Sequence, residues 1–537
     1  MAHSLVAGSG THTLATAVIF KSPLPDVTIP DTALTPFVLR HAGRLGDKVA
    51  IVEAGSGRSY TYAELASSVR KLAAGLHARG FGKGDVLAIL APNLPEYPIA
   101  FLGVAAAGGV NTTLNPLYTA DEIAIQLRDS RARFLLTVPP LVEKAKEAAG
   151  KSGIEEIFVF GEADGATPFA SLLIDGEAPD AHINPAEDVV ALPYSSGTTG
   201  FSKGVMLTHR NLVANLVQAA ASIEIGEAEK IVAVLPFFHI YGMTVIMNGS
   251  LYGGATLVTM PRFELEPFLQ AIQDHRITRL FLAPPIVVAL AKHPAVDKYD
   301  LSSVTRVFSG AAPLDADTAR LCGARVGCRV SQGYGLTETS PVSHAVSDSA
   351  PEIVPGSVGT SVPNTECKVV DVVTGKELGR NEDGEIWIRG PQVMKGYLNN
   401  AEATRSSIDG DGFFHSGDIG HIDDRDEFFI VDRLKELIKY KGFQVAPAEL
   451  EAHLLSHPMV ADAAVIGVID EQGEEIPKAF VVLKEPVPTE EIMAWIAERV
   501  APHKKIRRME VVDQIPKSAS GKILRRVLRD REKAASV

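Results

Sequence analysis

The stretch Tyr194-Ser-Ser-Gly-Thr-Thr-Gly-Phe-Ser-Lys-Gly204 decides how the rest of this chain is interpreted. It follows an apolar run at residues 189–192 that is typical of a buried strand, and a helical pattern begins at Asn211. Glycines let consecutive backbone N–H groups converge on an anion, hydroxyls donate further hydrogen bonds, and Lys203 adds a positive charge. The spacing is not that of a Walker A loop, in which the lysine follows the last glycine. The stretch therefore predicts a phosphate-binding loop between a strand and a helix.

The regions around this loop differ in their patterns. From residue 49 to about 335, apolar runs of strand length alternate with amphipathic stretches. Two of these stretches begin with capping-box pairs, Thr61 with Glu64 and Thr119 with Glu122. Beyond about residue 355 strand and turn patterns dominate, and residues 435–537 have the size of a compact module. We therefore expect an α/β fold, with a large N-terminal domain of α/β layers plus a β-rich part and a small α+β C-terminal domain.

Composition excludes several classes of protein. The 537 residues carry a net charge of −13, which argues against a general nucleic-acid binder. The three cysteines make neither a disulfide framework nor a zinc site, so a reducing compartment is expected. Apolar runs stay short of the roughly 18 residues of a membrane span, and the first residues lack the pattern of a secretory signal. A cytoplasmic protein is the resulting prediction.

Three further stretches carry chemistry. In Gln332-Gly-Tyr-Gly-Leu-Thr-Glu338 a flat ring between glycines suits a purine, and the hydroxyl and carboxylate beyond it suit phosphate and hydrated Mg²⁺. A carboxylate such as Asp418 can accept hydrogen bonds from both ribose hydroxyls. Lysines cluster at residues 435–441 and 517–522. Taken singly, these stretches also fit a tight turn, a surface ion pair and a solvated charged face.

Together the four stretches resemble the motifs of the adenylate-forming enzymes, the superfamily of acyl-CoA synthetases, stand-alone adenylation domains and luciferases. The resemblance covers nearly the whole chain. Residues 236–241, 309–313 and 445–451 are similar to the 4-coumarate:CoA ligase branch in particular. Phe201 and Ser202 depart from the superfamily, which often has an aliphatic residue and a proline there. Phe308 stands where plant members of the branch often carry lysine.

The resemblance implies a nucleotide site built from three motifs. Nucleotide contacts would come from Ser195, Ser196, Gly197, Thr198, Thr199 and Lys203, from Gln332, Gly333, Tyr334 and Thr337, and from Asp418, Arg433 and Lys435. Tyr334 would stack on adenine, Thr337 would contact the α-phosphate, and Asp418 would clamp the ribose. Glu338 and Thr199 would bind Mg²⁺.

It also implies acyl and CoA sites and a moving domain. The acyl pocket would be lined by Tyr241, Val245, Phe308, Ala311, Gly335, Pro341 and Val342, with His239 beside it. Tyr241 would donate a hydrogen bond to a phenolic hydroxyl of the acid. CoA would contact Arg262, Lys441 and Gly442. Residues 1–434 would form the adenylation domain, and residues 435–537 a mobile domain that rotates about Lys435. Lys522 would act in adenylation, and Lys439 with Gln444 in thioester formation.

The function expected from this resemblance is an AMP-forming acid:CoA ligase of phenylpropanoid chemistry that uses ATP, Mg²⁺ and coenzyme A. Its substrate would be 4-coumarate or cinnamate, and the apolar Phe308 keeps a medium-chain fatty acid as an alternative. A stand-alone adenylation enzyme for an amino acid would need a carboxylate for the substrate ammonium, and residues 237–247 contain none. A luciferase-like oxygenase and a non-enzymatic nucleotide-binding protein are further alternatives. We expect a monomer or homodimer without nucleic-acid partners.

Overall fold

The computed structural model describes residues 18–176, 180–195, 202–440, 443–470, 474–518 and 521–535, with side chains omitted at positions 443, 444 and 535. Two mixed sheets dominate its N-terminal part. The first sheet contains, in spatial order, Gly396–Tyr397, Lys203–Thr208, Val189–Ser195, Val110–Thr113, Val86–Leu90, Phe134–Thr137, Glu156–Val159 and Thr167–Pro168. The second sheet contains Thr360–Ser361, Val342–Ala345, Arg329–Gly335, Arg306–Ser309, Arg279–Leu282, Lys230–Ala233, Thr256–Thr259, Val49–Glu53 and Ser59–Thr61.

The central strands of both sheets run parallel and are covered on both faces. Val110–Thr113 and Phe134–Thr137 in the first sheet and Arg279–Leu282 in the second are buried along their whole length. Each of the latter two pairs in parallel with its neighbours on both sides. Phe134–Thr137 and Arg279–Leu282 are mostly apolar, as strands buried on both faces usually are. Val110–Thr113 is buried with polar side chains, because Asn111, Thr112 and Thr113 each find a hydrogen-bond partner.

Helices cover the sheets. The N-terminal part contains Leu34–Val38, Tyr62–Ala78, Tyr97–Ala106, Ala120–Ser130, Val142–Ala149, His209–Ala220, Gly249–Gly253, Leu265–His275, Pro284–Lys292, Ala316–Val326 and Ala401–Ser407. It also contains the π-helix Tyr241–Asn248 and short 3₁₀ turns at Pro139–Leu141, Phe169–Leu172, Pro294–Lys298 and Thr337–Thr339. The structure confirms both predicted capping boxes, with Thr61 at the start of Tyr62–Ala78 and Thr119 at the start of Ala120–Ser130.

The β-rich part predicted beyond residue 355 is a smaller sheet. It contains Phe20–Lys21, Glu366–Val370, Gly384–Arg389, Phe414–Ile422 and Phe428–Arg433, all paired antiparallel. Its last strand leads directly into the C-terminal part of the chain. Asp418 and Arg433 face each other as partners on its final two strands.

The C-terminal part is an α+β unit with its own core. It contains strands Ile438–Tyr440, Phe443–Val445, Val460–Ile469, Glu475–Leu483 and Arg508–Val511, helices Pro447–Ser456, Thr489–Ala497 and Arg525–Ala535, and a 3₁₀ turn at Pro502–Lys504. The first two helices cover one face of the sheet, and the last helix packs on the other face through Leu528. The boundary at residue 435 stays a prediction.

The chain around the glycine-rich stretch differs from the prediction. The sequence predicted that the loop leads from a strand into a helix. Instead Lys203–Thr208 forms a second strand, antiparallel to Val189–Ser195, with Lys203 opposite Ser195. Its side chains Val205 and Leu207 are fully buried. Helix His209–Ala220 starts only after this strand, because Thr208 caps it. The motif therefore begins on one strand of a hairpin, with Tyr194 and Ser195, and continues on the other strand at Lys203.

No helix in the described parts of the chain is both long enough and apolar enough to cross a membrane.

Candidate active site

Ser195 and Lys203 mark the two ends of the predicted phosphate loop, and both meet the same cluster. Ser195 Oγ donates to Glu338 Oε1 at 2.9 Å, and Tyr397 Oη donates to the same oxygen at 2.9 Å. Lys203 Nζ lies 4.7 Å from the centre of the Tyr397 ring. Ser196, Gly197, Thr198 and Thr199 lie outside the described residues. The hairpin and the predicted metal ligand Glu338 are thus joined through Tyr397.

Tyr397 is a site residue that sequence reasoning missed. It belongs to strand Gly396–Tyr397, which pairs with the hairpin strand through Val205. Burial and the Glu338 carboxylate raise the pKa of Tyr397, so the phenol stays protonated and donates. No local pattern in the sequence marks this residue, because its partners lie in other segments.

The predicted adenine and ribose residues form a second cluster. Tyr334 Oη donates to Asp418 Oδ2 at 2.6 Å, and Arg433 Nε lies 3.0 Å from Asp418 Oδ1. Asp418 is buried, and its charge raises the pKa of the Arg433 guanidinium. Behind Tyr334 lies the neutral ring of His344, whose pKa is lowered to about 3 by burial. The carboxylate predicted to clamp a ribose is therefore held between a phenol and a guanidinium.

The glycine-rich turn around Tyr334 is shaped by close backbone contacts. A Cβ on Gly335 would lie 2.0 Å from the Pro341 carbonyl oxygen, so this position tolerates only glycine. Thr337 begins a 3₁₀ turn beside it. The nucleotide contact expected of Gln332 stays a prediction. Its side-chain amide accepts from Leu314 N at 3.1 Å and donates to Leu314 O at 3.2 Å, so it fixes the residue that follows the 309–313 loop. A Cβ on Gly333 would lie 2.3 Å from the Phe308 ring.

The predicted acyl residues converge around the π-helix Tyr241–Asn248. Tyr241 and Val245 are buried on this helix, Phe308 is buried on the adjoining strand, and the Tyr241 and Phe308 rings flank Phe281. Pro341 and Val342 are buried nearby, whereas Gly335 and Ala311 are exposed. Ala311 has a φ of 71°, which is unusual for a residue with a side chain.

One acyl prediction needs correction. Tyr241 was expected to donate to a phenolic hydroxyl, but its Oη donates to the Phe308 carbonyl at 3.2 Å. Burial also raises the pKa of Tyr241, so the phenol keeps its single proton. The oxygen of Tyr241 is left as a hydrogen-bond acceptor.

Lys522 joins the small C-terminal unit to this site. Its loop touches the N-terminal part at Gly521, where a Cβ would lie 3.2 Å from Ala283 and from Pro285. Burial, and then the charge of Arg433, lower the pKa of Lys522 to about 8. Burial lowers the pKa of His239 to about 4, and the charge of Lys522 adds to this effect. Lys522 is therefore electrostatically coupled both to Arg433 of the predicted nucleotide residues and to His239 beside the predicted acyl pocket.

Other predicted residues are not brought into this cluster. Lys435 and Lys439 are exposed, and the Lys439 backbone N–H donates to Glu475 within the small unit. Arg262 is exposed and pairs with Glu264. Lys441 and Gly442 lie outside the described residues, as does the side chain of Gln444. The structure thus presents the Lys522 face of the small unit to the site.

Comparison with known proteins supplies the family. Residues 38–398 match the family described as AMP-binding enzyme, and residues 449–522 match the AMP-binding enzyme C-terminal domain. The chain is 45% identical over 531 residues to 4-coumarate–CoA ligase 1 of Petroselinum crispum, covering 96% of this chain and 97% of that protein. It is also 45% identical over 526 residues to 4-coumarate–CoA ligase 3 of Oryza sativa subsp. japonica, which covers 96% of this chain and 95% of that protein.

Solved structures agree. The anthranilate CoA ligase AuaEII in complex with anthranoyl-AMP matches with a TM-score of 0.88 at 26% identity, covering 95% of this chain and 99% of that chain. ATP-bound MatB from Rhodopseudomonas palustris matches with a TM-score of 0.84 at 31% identity, and the match covers 94% of this chain and 99% of that chain. The chain belongs to the AMP-binding enzyme family, and the predicted resemblance and fold class are confirmed.

We expect Tyr397→Phe to weaken ATP binding about fivefold to tenfold, because Glu338 loses one charge-assisted hydrogen bond while the ring beside Lys203 remains. Calorimetric titration with ATP and Mg²⁺ measures the effect. Tyr62→Phe is the matched control, since it removes a buried hydrogen bond to Ala255 O at 2.7 Å away from this cluster. Equal ATP affinity in the two variants would contradict the role given to Tyr397.

Proposed function

We propose that this protein is an ATP-dependent acid:CoA ligase that works in two steps. In the first step a carboxylate oxygen of the acid attacks the α-phosphorus of ATP, the bond to pyrophosphate breaks, and acyl-AMP forms. In the second step the CoA thiolate attacks the acyl carbonyl carbon, AMP leaves, and a thioester forms. The full-length relatives, which are 4-coumarate–CoA ligases, support this activity.

The position of Lys522 carries the proposal. The charges of Arg433 and Asp418 act on its ammonium group, and the ammonium adds to the lowering of the His239 pKa by burial. A cation at that point would attract the acid carboxylate and the α-phosphate together, which lowers the electrostatic cost of bringing two anions into contact. Arg433 would hold the phosphates, and Asp418 the ribose. A binding protein without chemistry would have no need of Lys522.

The surroundings of Glu338 fit a divalent cation. Ser195 and Tyr397 both donate to Oε1, which leaves Oε2 unused by either hydroxyl. Carboxylate and hydroxyl oxygens are ligands that Mg²⁺ prefers, so we infer that Glu338 and Thr199 would hold it. When bound, Mg²⁺ would offset part of the negative charge on the ATP phosphates.

The second step would use another face of the small unit. Lys439 is exposed on that unit, and Gln444, Lys441 and Gly442 follow it in sequence. We infer that rotation about Lys435 brings these residues to the acyl-AMP and opens a path for CoA past Arg262. Such alternation lets one cleft carry two different sets of catalytic groups.

The acid that fits best is a phenylpropenoic acid such as 4-coumarate or cinnamate. The pocket end formed by Tyr241, Phe281 and Phe308 is aromatic and buried, which suits a planar ring. Because the proton of Tyr241 is donated to Phe308 O, the Tyr241 oxygen would accept from the 4-hydroxyl of coumarate. A medium-chain fatty acid is the second candidate, since Phe308 replaces a charged group with an apolar one.

The cytoplasmic location rests on the cysteines. Cys322, Cys328 and Cys367 are free thiols, as a reducing compartment would keep them. Whether the protein is a monomer or a homodimer stays a prediction as well.

The function is tested by measuring pyrophosphate release with ATP, Mg²⁺ and a panel of acids, each with and without CoA, and by detecting thioester separately. The panel holds 4-coumarate, cinnamate, benzoate, octanoate and several amino acids. We expect 4-coumarate or cinnamate to lead and thioester to form only with CoA. If octanoate is the best substrate, the protein is a medium-chain fatty acyl-CoA ligase and not a 4-coumarate:CoA ligase. Absence of pyrophosphate release with every acid would refute the proposed chemistry.

Lys522 generates a pH prediction. With a pKa of about 8 it is cationic below that pH and neutral above it. Since kcat/KM reports the free enzyme, we expect kcat/KM for ATP in the adenylation step to fall about tenfold per pH unit above about pH 8. Lys522→Ala should be much slower and should lack this fall. The same fall in Lys522→Ala would assign it to another group.

Tyr241→Phe tests the pocket end. The change removes the acceptor for a 4-hydroxyl but keeps the ring, so we expect the ratio of kcat/KM for 4-coumarate to that for cinnamate to drop about tenfold. Activity with cinnamate should change little. If the ratio is unaltered, the ring of the acid does not reach Tyr241.

A further inference from the structure

The loop at residues 234–239 connects a strand of the second sheet to the acyl pocket. It leaves strand Lys230–Ala233 and leads into the π-helix Tyr241–Asn248 that carries Tyr241 and Val245. The loop packs tightly on that helix, because a Cβ on Gly242 would lie 2.1 Å from the Pro236 carbonyl oxygen. Any shift of the loop would therefore move His239 and the helix together.

Asn93 fastens this loop from the other sheet. It follows strand Val86–Leu90 of the first sheet and is 3% exposed. Its Nδ2 donates to Ala233 O at 3.0 Å and to Leu235 O at 2.9 Å. Its Oδ1 accepts from Phe237 N at 2.8 Å. One side chain thus binds the last residue of the strand, Ala233, and two residues of the loop, Leu235 and Phe237, at the point where the strand ends and backbone groups need new partners.

Thr113 makes a fourth hydrogen bond to this segment, at Phe238, the residue before His239. It ends strand Val110–Thr113 of the first sheet, and its Oγ1 donates to Phe238 O at 2.7 Å. The Thr113 backbone carbonyl accepts in turn from Gln126 Nε2 at 3.0 Å, and that same nitrogen lies 3.0 Å from Thr112 Oγ1. Helix Ala120–Ser130, strand and loop are therefore joined in one hydrogen-bonded chain.

We propose that Asn93 and Thr113 are positioning residues for the acid: through the 234–239 loop, the first sheet sets the place of His239 and the width of the acyl pocket. The inference rests on the proposed ligase function. The hydrogen bonds of Asn93 and of Thr113 Oγ1 go to backbone atoms of residues 233–238, so both side chains act through the backbone of the loop. A displacement of about 1 Å at a reacting group can cost about 100-fold in rate, which makes such bracing valuable for catalysis.

Thr113→Val is the sharpest test, because it keeps the shape and removes only the hydroxyl that bonds Phe238 O. Thr113→Ser restores the hydroxyl. Thr137→Val is the matched control, since Thr137 is a buried threonine of the same sheet whose Oγ1 donates to Leu90 O at 3.0 Å, away from the loop. Asn93→Ala, which removes three bonds, is a stronger variant, and Thr113→Val decides the question if that variant does not fold.

The measurements are kcat and KM for acid and for ATP in pyrophosphate release, with 4-coumarate and with benzoate as a shorter acid, and thermal unfolding. For Thr113→Val we expect kcat/KM for 4-coumarate to fall about tenfold, the preference over benzoate to narrow, and KM for ATP to stay within about twofold. Thr113→Ser should recover most of the loss. Thr137→Val should lose stability to a similar degree while keeping the acid preference.

Three outcomes are distinguishable. Selective loss of acid preference in Thr113→Val, with rescue by serine, supports the inference. If Thr113→Val and Thr137→Val show the same acid preference and the same loss of stability, the inference is overturned and these hydrogen bonds contribute to stability alone. The proposed ligase function would then still stand. Failure of the unmodified protein to release pyrophosphate with any acid refutes the proposed function, and this inference with it.

Discussion

The electrostatic repulsion between the Lys522 ammonium and the Arg433 guanidinium, both partly removed from solvent, is the interaction on which the site depends. Burial, and then the like charge of Arg433, lower the pKa of Lys522, because both disfavour its charged form. Under the proposed function an anion between the two cations would offset this repulsion, which suits the phosphate and carboxylate groups of the substrates. Asp418 moderates the repulsion, because it pairs with Arg433 and also favours the charged form of Lys522.

The small unit is held in this orientation by contacts close to the predicted hinge. Asp432, on the last strand before Lys435, accepts from the backbone N–H of Ala448 at 2.8 Å, near the start of helix Pro447–Ser456. That helix has no capping side chain of its own, so the carboxylate supplies one from across the hinge. Within the unit, Arg525 pairs with the buried Glu451, whose pKa is raised to about 7 by burial. This pair ties the helix that follows Lys522 to the helix that follows the hinge.

The two large sheets contribute different residues to the candidate site. The second sheet carries the predicted acyl residues Phe308 and Val342 and the Tyr334 turn, whereas the hairpin of the first sheet carries Ser195 and Lys203. Side chains of the first sheet also reach the loop beside His239, and Tyr397 ties the hairpin to Glu338. Because each cluster is shared between sheets, its geometry depends on how the sheets pack and not on either sheet alone.

The sequence alone determined those features that depend only on residues close together in the chain. The capping boxes, the buried parallel strands and the residue types of the phosphate and Tyr334 motifs follow from short-range spacing, and so did the α/β class. The strand Lys203–Thr208 was missed, because its burial comes from pairing on both sides within a sheet. Only the tertiary structure decided that Tyr397 reaches Glu338 over 59 positions, that Asn93 holds Phe237 over 144, and that Tyr241 donates to Phe308. Such hydrogen bonds depend on the order and register of the strands in the sheets. Strand order and register bring together segments that are distant in the sequence, and neither segment alone indicates its partner.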